Sequence, residues 1–440
     1  MVGHQTLKDW ERGTKSCSSV VLDVKSAREI VLKHCLQVGR ESLPTETVSI
    51  WECFKRIIAE PIVLDTDQPP FDRSMRDGYG VRAEDVKKVP VLLKSVGEIK
   101  AGDFSSLDIK EGEAVHIMTG APVPGGVDAV VMVEHTERID AEHVEVLRPA
   151  KAGDNIARQG SEHQAGELVI DAGKIISALE LAVLATVGKF RMKVFRRPTV
   201  GILATGDELV EVHETPQPGQ IRNSNSFSLY AQVLKCGGLP VTLETSRDNV
   251  SDLRRQMIAG LKNDVLLVSG GVSMGKYDLV EPVFKELGID VHFESVSMRP
   301  GKPTVFATFG NRFVYGLPGN PVSTFVAFEL FVKPVLNRLQ GLQAGALCLI
   351  RGTVQNEISE KSGRTAFLPA RVSIESGKTK ISPISWKGSA DIFSAAEANG
   401  FLVVPLETTH LEAGDEAEAL MFDELEFESE ISMKVGKFVW

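Results

Sequence analysis

The sequence predicts a multidomain α/β-plus-β protein, with a central α/β domain, a helical linker domain, an all-β domain inserted into the linker, and a C-terminal β domain. Three observations predict it. Strand-like and helix-like runs alternate from Arg197 to about Leu339. Short β-rich runs broken by Gly, Pro and Asp fill Pro61 to about Asp154, with helical signals on both sides. Short alternating strands return after about Gly341. The expected limits are 20–60 with 155–196 for the linker, 61–154 for the insertion, 197–340 for the α/β domain and 341–425 for the last domain. A chain of 440 residues is too long for one ordinary core, which agrees with several domains.

Two capping-box patterns announce helices between Val20 and Ala59. Ser26 with Glu29 precedes Ile30-Val31-Leu32, and Ser49 with Glu52 precedes Cys53, Ile57 and Ile58. The β-rich runs begin at Val89 (VPVLLKSV), Ala114 (AVHIMTG), Ala129 (AVVMVEHTE) and His143 (HVEVLRP). Helical character resumes from Ile176 to Gly188.

PTVGILATG, from Pro198, reads as the first buried strand of the α/β domain. A helix follows with Phe227, Tyr230, Ala231 and Leu234 on one face, introduced by Asn223-Ser224-Asn225 and stopped by Gly237-Gly238. PVTLETS, DVLLVSGG and DVHFESVSM are the second, third and fourth strands. Between them lie a helix carrying Val250, Leu253, Met257 and Leu261, and the helix DLVEPVFKELG. PTVFATF, NRFVYGLPG and a long helix from Pro321 to about Leu339 complete the domain. Such alternation implies parallel strands joined by crossover helices, in a sheet covered on both faces. GTVQNEI, RTAFLPARVSI, TKISPISW, FLVVPL and EAEALMF supply the C-terminal strands, and the residues after about 425 read as a tail.

Composition narrows the function. With 43% hydrophobic and 25% charged residues the chain is a folded globular type. The longest apolar runs, such as ALELAVLATVG from Ala178, are too short to span a bilayer, so no membrane partner is expected. The polar start MVGHQTLKDWERGTKS lacks a signal-peptide segment, and a cytoplasmic location follows as the expectation. Cys17, Cys35, Cys53, Cys236 and Cys348 stand singly, without a CxxC pair, and read as small buried hydrophobes. A net charge of −10 disfavours nucleic acid, which binds through clustered Lys and Arg, yet leaves room for a small anionic ligand.

Ligands of open α/β sheets bind at the carboxyl ends of the strands. Four loops are expected there. ATGDELV brings Thr205, Gly206, Asp207 and Glu208; TSRDN brings Asp248; SGGVSMGKYD brings Asp278; SVSMRPGKP brings Arg299, Gly301 and Lys302. In the third loop Ser269, Gly270, Gly271, Ser273 and Lys276 are candidate substrate contacts. That loop is a near P-loop in which Tyr277 replaces the Mg²⁺-holding hydroxyl, which argues against a nucleoside triphosphatase. A glycine-rich strand-to-helix turn nevertheless favours an oxyanion. Each carboxylate alone reads as a cap or a solvated residue; several from different strand ends could gather a hard divalent cation beside phosphate. No HExxH, GxSxG or GxGxxG pattern appears, and His116 and His292 fall in strands as structural residues.

Seven motifs, in order, resemble the MoeA-like molybdopterin molybdenumtransferases, relatives of the gephyrin E domain. They are PPFDRSMRDGYGVRAED from Pro69, IMTGAPVPGGVDAVVMVE from Ile117, GDNIARQGSEHQAGE from Gly153, GILATGDELV, SGGVSMGKYD, MRPGKP and GLPGNPVS. The resemblance runs from about Val20 to Phe422. It implies an elongated, four-part subunit and a homodimer whose clefts are completed by the partner's inserted domain. The implied reaction inserts molybdate or tungstate into adenylylated molybdopterin and releases AMP in a Mg²⁺-dependent step.

Carried over by position, Asp77 and Thr119 would come from the inserted domain of the partner. Glu208, Asp248 and Asp278 would hold Mg²⁺ or orient water, and Lys302 would neutralise pyrophosphate or molybdate. Pro318 and Pro321 would wall the site, and Arg364 and Ser389 would take an oxyanion, for which a guanidinium fork is suited. Thr205, Gly206 and Arg299 join the candidate substrate contacts. The sequence departs from the family at Arg76, Gly80 and His163. Two other readings stay open: the preceding adenylylation of molybdopterin, and a scaffold that carries the cofactor without chemistry.

Overall fold

The computed structural model describes residues 21–271, 280–423 and 426–427. These form two compact units, one spanning Thr47–Val194 and the other built from the chain before Thr47 together with everything from Phe195 onward.

The Thr47–Val194 unit is centred on a six-stranded sheet in the order Ala129–Met132, Gly78–Val81, Glu113–Ile117, Val91–Ile99, His143–Val146, Thr136–Arg138. Alternation sends Val81, Ala114, Ala129 and Val131 into one core and Val115, Ile117 and Val130 into another. The expected strands are all present. Gly80 fits its place closely, since a Cβ there would lie 3.1 Å from Val115 Cγ1. The helix Ala178–Thr186 begins at a complete capping box of Ser177 and Glu180.

The expected helices before Ala59 need correction. Val24–Gln37 is helical, but its cap is Asp23, whose carboxylate accepts the Ser26 amide at 2.7 Å and the Ser26 hydroxyl at 3.0 Å. The Ser49–Glu52 capping box exists, yet only a 3₁₀ turn, Ile50–Glu52, follows it. Lys55 at φ 60° breaks the run, and Ile57 and Ile58 then bridge to Ile175 and Val194 as extended chain.

In the second unit a six-stranded sheet runs Leu239–Thr242, Thr199–Ala204, Val265–Ser269, Arg312–Leu317, Val305–Phe309, Asp290–Phe293. Its first four strands are parallel, as the crossover helices require. Val305–Phe309, which no helix separates from its sequence neighbour, is antiparallel to both strands beside it. The cause is local: Phe309 pairs with Arg312 across Gly310-Asn311, and a two-residue turn can only reverse the chain. Val200, Ile202, Val265, Leu267 and Tyr315 enter one core with the helices Val24–Gln37 and Pro321–Ala327. Leu203, Leu266, Val268 and Val314 enter the other with Leu253, Met257 and Phe284. The sheet is therefore covered on both faces.

The Asn225–Lys235 helix buries Ser226, Leu229, Gln232 and Val233, while Phe227, Tyr230 and Leu234 stand exposed. The face picked out by its apolar residues is thus the outward one. Polar Ser226 and Gln232 on the buried face masked the true stripe. The last long helix is continuous in direction but changes pitch, with a π-helical turn at Phe328–Val332 between Pro321–Ala327 and Lys333–Leu339.

The C-terminal strands close into a barrel. Thr365–Glu375 pairs with Lys378–Pro383, then Leu349–Val354, Glu416–Met421 and Gly400–Val404 follow, and the last returns to Thr365–Glu375. Met298–Arg299 leaves the α/β sheet and joins this barrel in parallel with Thr365–Ala366. Among the described residues no helix is long and apolar enough to cross a membrane. Cys35 and Cys53 are buried as expected, whereas Cys348 is exposed and Cys17 lies outside the described residues.

Candidate active site

The strand ends converge as the sequence predicts. Thr205, which follows Thr199–Ala204, is buried; its amide donates to the Ser269 carbonyl at 3.0 Å and its hydroxyl to Asp248 Oδ1 at 3.0 Å. Asp248 also accepts the Asp207 amide at 3.4 Å, and Asp207 Oδ1 accepts the Asp248 amide at 3.1 Å. The two loops are latched by these reciprocal bonds. Gly270 has φ 95°, and a Cβ there would sit 2.4 Å from the Thr205 carbonyl, so only glycine allows the turn to lie against its neighbour.

Glu208 is the exception to this mutual satisfaction. It is exposed, and its carboxylate folds back over Gly206, where a Cβ would lie 2.6 Å from either oxygen. Its backbone carbonyl accepts the Ile221 amide at 2.8 Å, but its carboxylate has no hydrogen-bond or ion-pair partner among the described residues. An unpartnered carboxylate at strand ends is a hard-oxygen donor of the kind Mg²⁺ takes with one or two carboxylates and substrate phosphates. The donor chemistry fits that ion; among the described residues, which do not include Asp278, no three His, Cys, Asp or Glu could hold a metal. Asp248 is occupied by Thr205 and Asp207, and Asp278, with Ser273 and Lys276, lies outside the described residues.

Thr205, Glu208, Ser269, Gly270 and Pro321 line one cleft of about 650 Å³. Asn225 on its wall was legible only as a helix-capping residue, but it does more. Its side-chain amide donates to Ser269 Oγ at 2.8 Å and the Gly319 carbonyl at 2.7 Å, tying the helix to two strand ends. Asn320 donates to Ser389 Oγ at 2.8 Å, which places Ser389 on the cleft rim. Pro318 is buried and its carbonyl accepts the Thr324 hydroxyl. Arg222 and the exposed Phe393 also line the cleft, and neither carried a sequence signal.

Arg299 and Arg364 lie where the chain crosses from the α/β sheet to the barrel, and Lys302 follows three positions on. The chain crosses to the barrel at Met298–Arg299 before reaching the Pro-Gly-Lys-Pro turn, so these three cations stand beyond the residues that line the 650 Å³ cavity itself. The crossing brings Arg299 beside Arg364, whose guanidinium reaches the Met298 carbonyl at 3.5 Å. Arg299 is paired with buried Glu360 at 2.9 Å, and Lys302 is exposed. The turn stays near the cleft: a Cβ on Gly301 would be 3.5 Å from the Ser323 carbonyl, in the helix that Pro321 begins.

In the Thr47–Val194 unit, Asp77 and Thr119 meet directly, the Thr119 amide donating to Asp77 Oδ1 at 2.8 Å. That bond, first among its causes, holds the Asp77 carboxyl below its usual pKa. His292 bonds Thr308 at 2.9 Å and lies tilted against the His34 ring, and burial lowers its pKa to about 4. His116 stands beside Tyr79, with Glu98 at 3.7 Å.

Comparison with known proteins fits this geometry. The chain matches the models of the MoeA N-terminal region (domain I and II) over 22–188, a probable molybdopterin binding domain over 201–338, and the MoeA C-terminal region (domain IV) over 351–422. It is 35% identical to the molybdopterin molybdenumtransferase of Bacillus subtilis, over 86% of this chain and 90% of that one. To that of Staphylococcus epidermidis it is 31% identical, over 93% and 98%. Two crystal structures of the MoeA protein of Pyrococcus horikoshii superpose with TM-scores of 0.78 and 0.77 at 32% and 29% identity, covering 92% of this chain and 100% of theirs. The chain belongs to the MoeA family of molybdenum-cofactor biosynthesis enzymes, the molybdopterin molybdenumtransferases.

Proposed function

We propose that the chain inserts molybdate or tungstate into adenylylated molybdopterin with Mg²⁺-dependent release of AMP, working in the cytoplasm as a homodimer. The observation that carries this reading is the unpartnered Glu208 carboxylate on a cleft whose other strand-end polar groups are bonded to one another. A group left free amid satisfied neighbours is available to a ligand. Glu208 would hold the cation, together with Asp278 of the family's acidic set. When bound, Mg²⁺ supplies charge neutralisation at a phosphoanhydride as it breaks.

The chain's own residues supply the rest. Thr205 and Asp248 fix the loop that carries Glu208. The amide-rich Ser269–Gly270 turn faces phosphate oxygens, while Asn225 keeps it registered against Gly319. Phe393 and Ile392 offer an apolar wall to the planar pterin. Arg299, Lys302 and Arg364 form a cationic patch suited to a tetrahedral dianion. Asp77 and Thr119 of a second copy complete the cleft in this account.

The adenylylation and scaffold alternatives are disfavoured by family membership, and a scaffold needs no free carboxylate on its cleft. The test is AMP formation by the purified chain from adenylylated molybdopterin and Mg²⁺, with molybdate, tungstate or neither. Oxyanion-dependent AMP release is expected. Release that ignores both oxyanions, or none at all, rejects the reading.

A further inference from the structure

The Arg299–Glu360 pair joins the strand that crosses from the α/β sheet to the barrel. Glu360 is 4% exposed, and burying a carboxylate costs several kcal/mol, which an ion pair only roughly offsets. The Arg299 side chain, by contrast, is 43% exposed. What the ion pair adds is direction.

Glu360 is itself fixed on three sides. Its backbone amide donates to the Thr409 carbonyl at 2.9 Å, and its Oε1 accepts the Ser362 amide at 2.8 Å. Arg299 Nη1 then donates to Oε1 at 3.0 Å and to Oε2 at 2.9 Å. Burial opposes the charge of Glu360, but the bonds from Ser362 and Arg299 outweigh it and hold the carboxyl below its usual pKa. A guanidinium has five donors. Here a single nitrogen is engaged, and Nε and Nη2 donate to nothing among the described residues. Arg364 enters the same corner through the pairing of Met298 with Thr365 and Arg299 with Ala366.

We propose that Glu360 is a positioning residue for the oxyanion step, holding the Arg299 guanidinium in one orientation so that its free edge acts with Arg364 and Lys302 on molybdate. Glu360 does not touch the oxyanion; it acts through Arg299. The proposal rests on the function proposed above, in which this patch takes the oxyanion.

The test is a double-mutant cycle on the full chain, reading molybdate KM and kcat for AMP release, with melting temperature as the fold control. Glu360→Gln raises the molybdate KM about tenfold, the scale of one misplaced charge-assisted hydrogen bond, and changes kcat less than about twofold. Arg299→Ala raises KM at least as much. The double variant is no worse than Arg299→Ala alone, because the carboxylate has nothing left to orient. A wild-type KM in Glu360→Gln overturns the proposal. So does a double variant whose KM rise is the product of the single rises, since Glu360 would then act by another route. Should Glu360→Gln fail to fold, Glu360→Asp decides: it keeps the charge one methylene short, and an unchanged KM there counts against positioning. Calorimetric binding of molybdate alone must show the same ranking, and equal affinity in all variants is contrary. A wild-type protein that releases no AMP with any oxyanion defeats the functional reading itself, whereas an active wild type matched by Glu360→Gln defeats only the positioning role.

Discussion

The hydroxyl of Thr205 donates to Asp248 across 3.0 Å and so joins the ends of two neighbouring parallel strands. Thr205 and Ser246 also form an isolated bridge just beyond the regular pairing. The loop bearing Glu208 is thereby held on one side by the sheet and on the other by Asp248. Asp248 serves as a brace here, while the Glu208 carboxylate has no partner among the described residues.

Removing the brace has a defined consequence. Asp248→Asn keeps one acceptor but cannot serve Thr205 and the Asp207 amide equally. Stability falls by about 1 kcal/mol and AMP release drops roughly tenfold. Unchanged activity in a folded Asp248→Asn protein removes Asp248 from the site.

Phe393 is 85% exposed and lines the cleft, an unusual position for a large apolar ring without a partner. Phe393→Ala raises the KM for adenylylated molybdopterin about tenfold, as expected for losing roughly 1.5 kcal/mol of apolar burial, and leaves the molybdate KM unchanged. Equal KM values for the pterin substrate in both proteins contradict the apolar-wall role.

The proposed shared site predicts complementation. Asp77→Ala and Glu208→Ala are each inactive, but subunits exchanged between them recover roughly a quarter of wild-type activity, because half the dimers hold one intact site. No recovery after verified exchange places both residues in a site within one subunit.

Asp264 gives a pH signature unrelated to catalysis. Burial opposes its charge, but Arg196 at 2.8 Å and the Thr199 amide at 2.7 Å outweigh it and depress its pKa below 3.8. A depressed folded value means the stabilisation is full above the unfolded value and is lost as pH falls through the folded one. Asp264→Asn therefore destabilises by about 1–3 kcal/mol near neutrality, and the gap to wild type narrows below about pH 4. Melting curves whose separation is constant with pH count against this assignment.

The sheet order was partly legible because Val200, Ile202, Val265 and Leu267 form buried apolar runs that only a covered strand tolerates. Glu208, Gly270 and Pro321 were legible because they follow such runs in recognisable motifs. Asn225 was visible only as a cap, since local sequence shows no contact with Gly319, 94 positions away. Glu360 and Phe393 gave no signal, as their meaning comes from the barrel closing beside the α/β sheet. The barrel pairing of Arg299 was hidden for the same reason: nothing local in SVSMRPGKP shows that its strand changes sheets.

The most direct test of the account compares wild type with Glu208→Ala in oxyanion-dependent AMP release, with melting temperature measured alongside. Glu208 is exposed and its carboxylate unpartnered, so the variant should melt as wild type does while AMP release falls at least about 100-fold. A folded Glu208→Ala protein that releases AMP at the wild-type rate would contradict the assignment of this cleft as the place where the phosphoanhydride is broken.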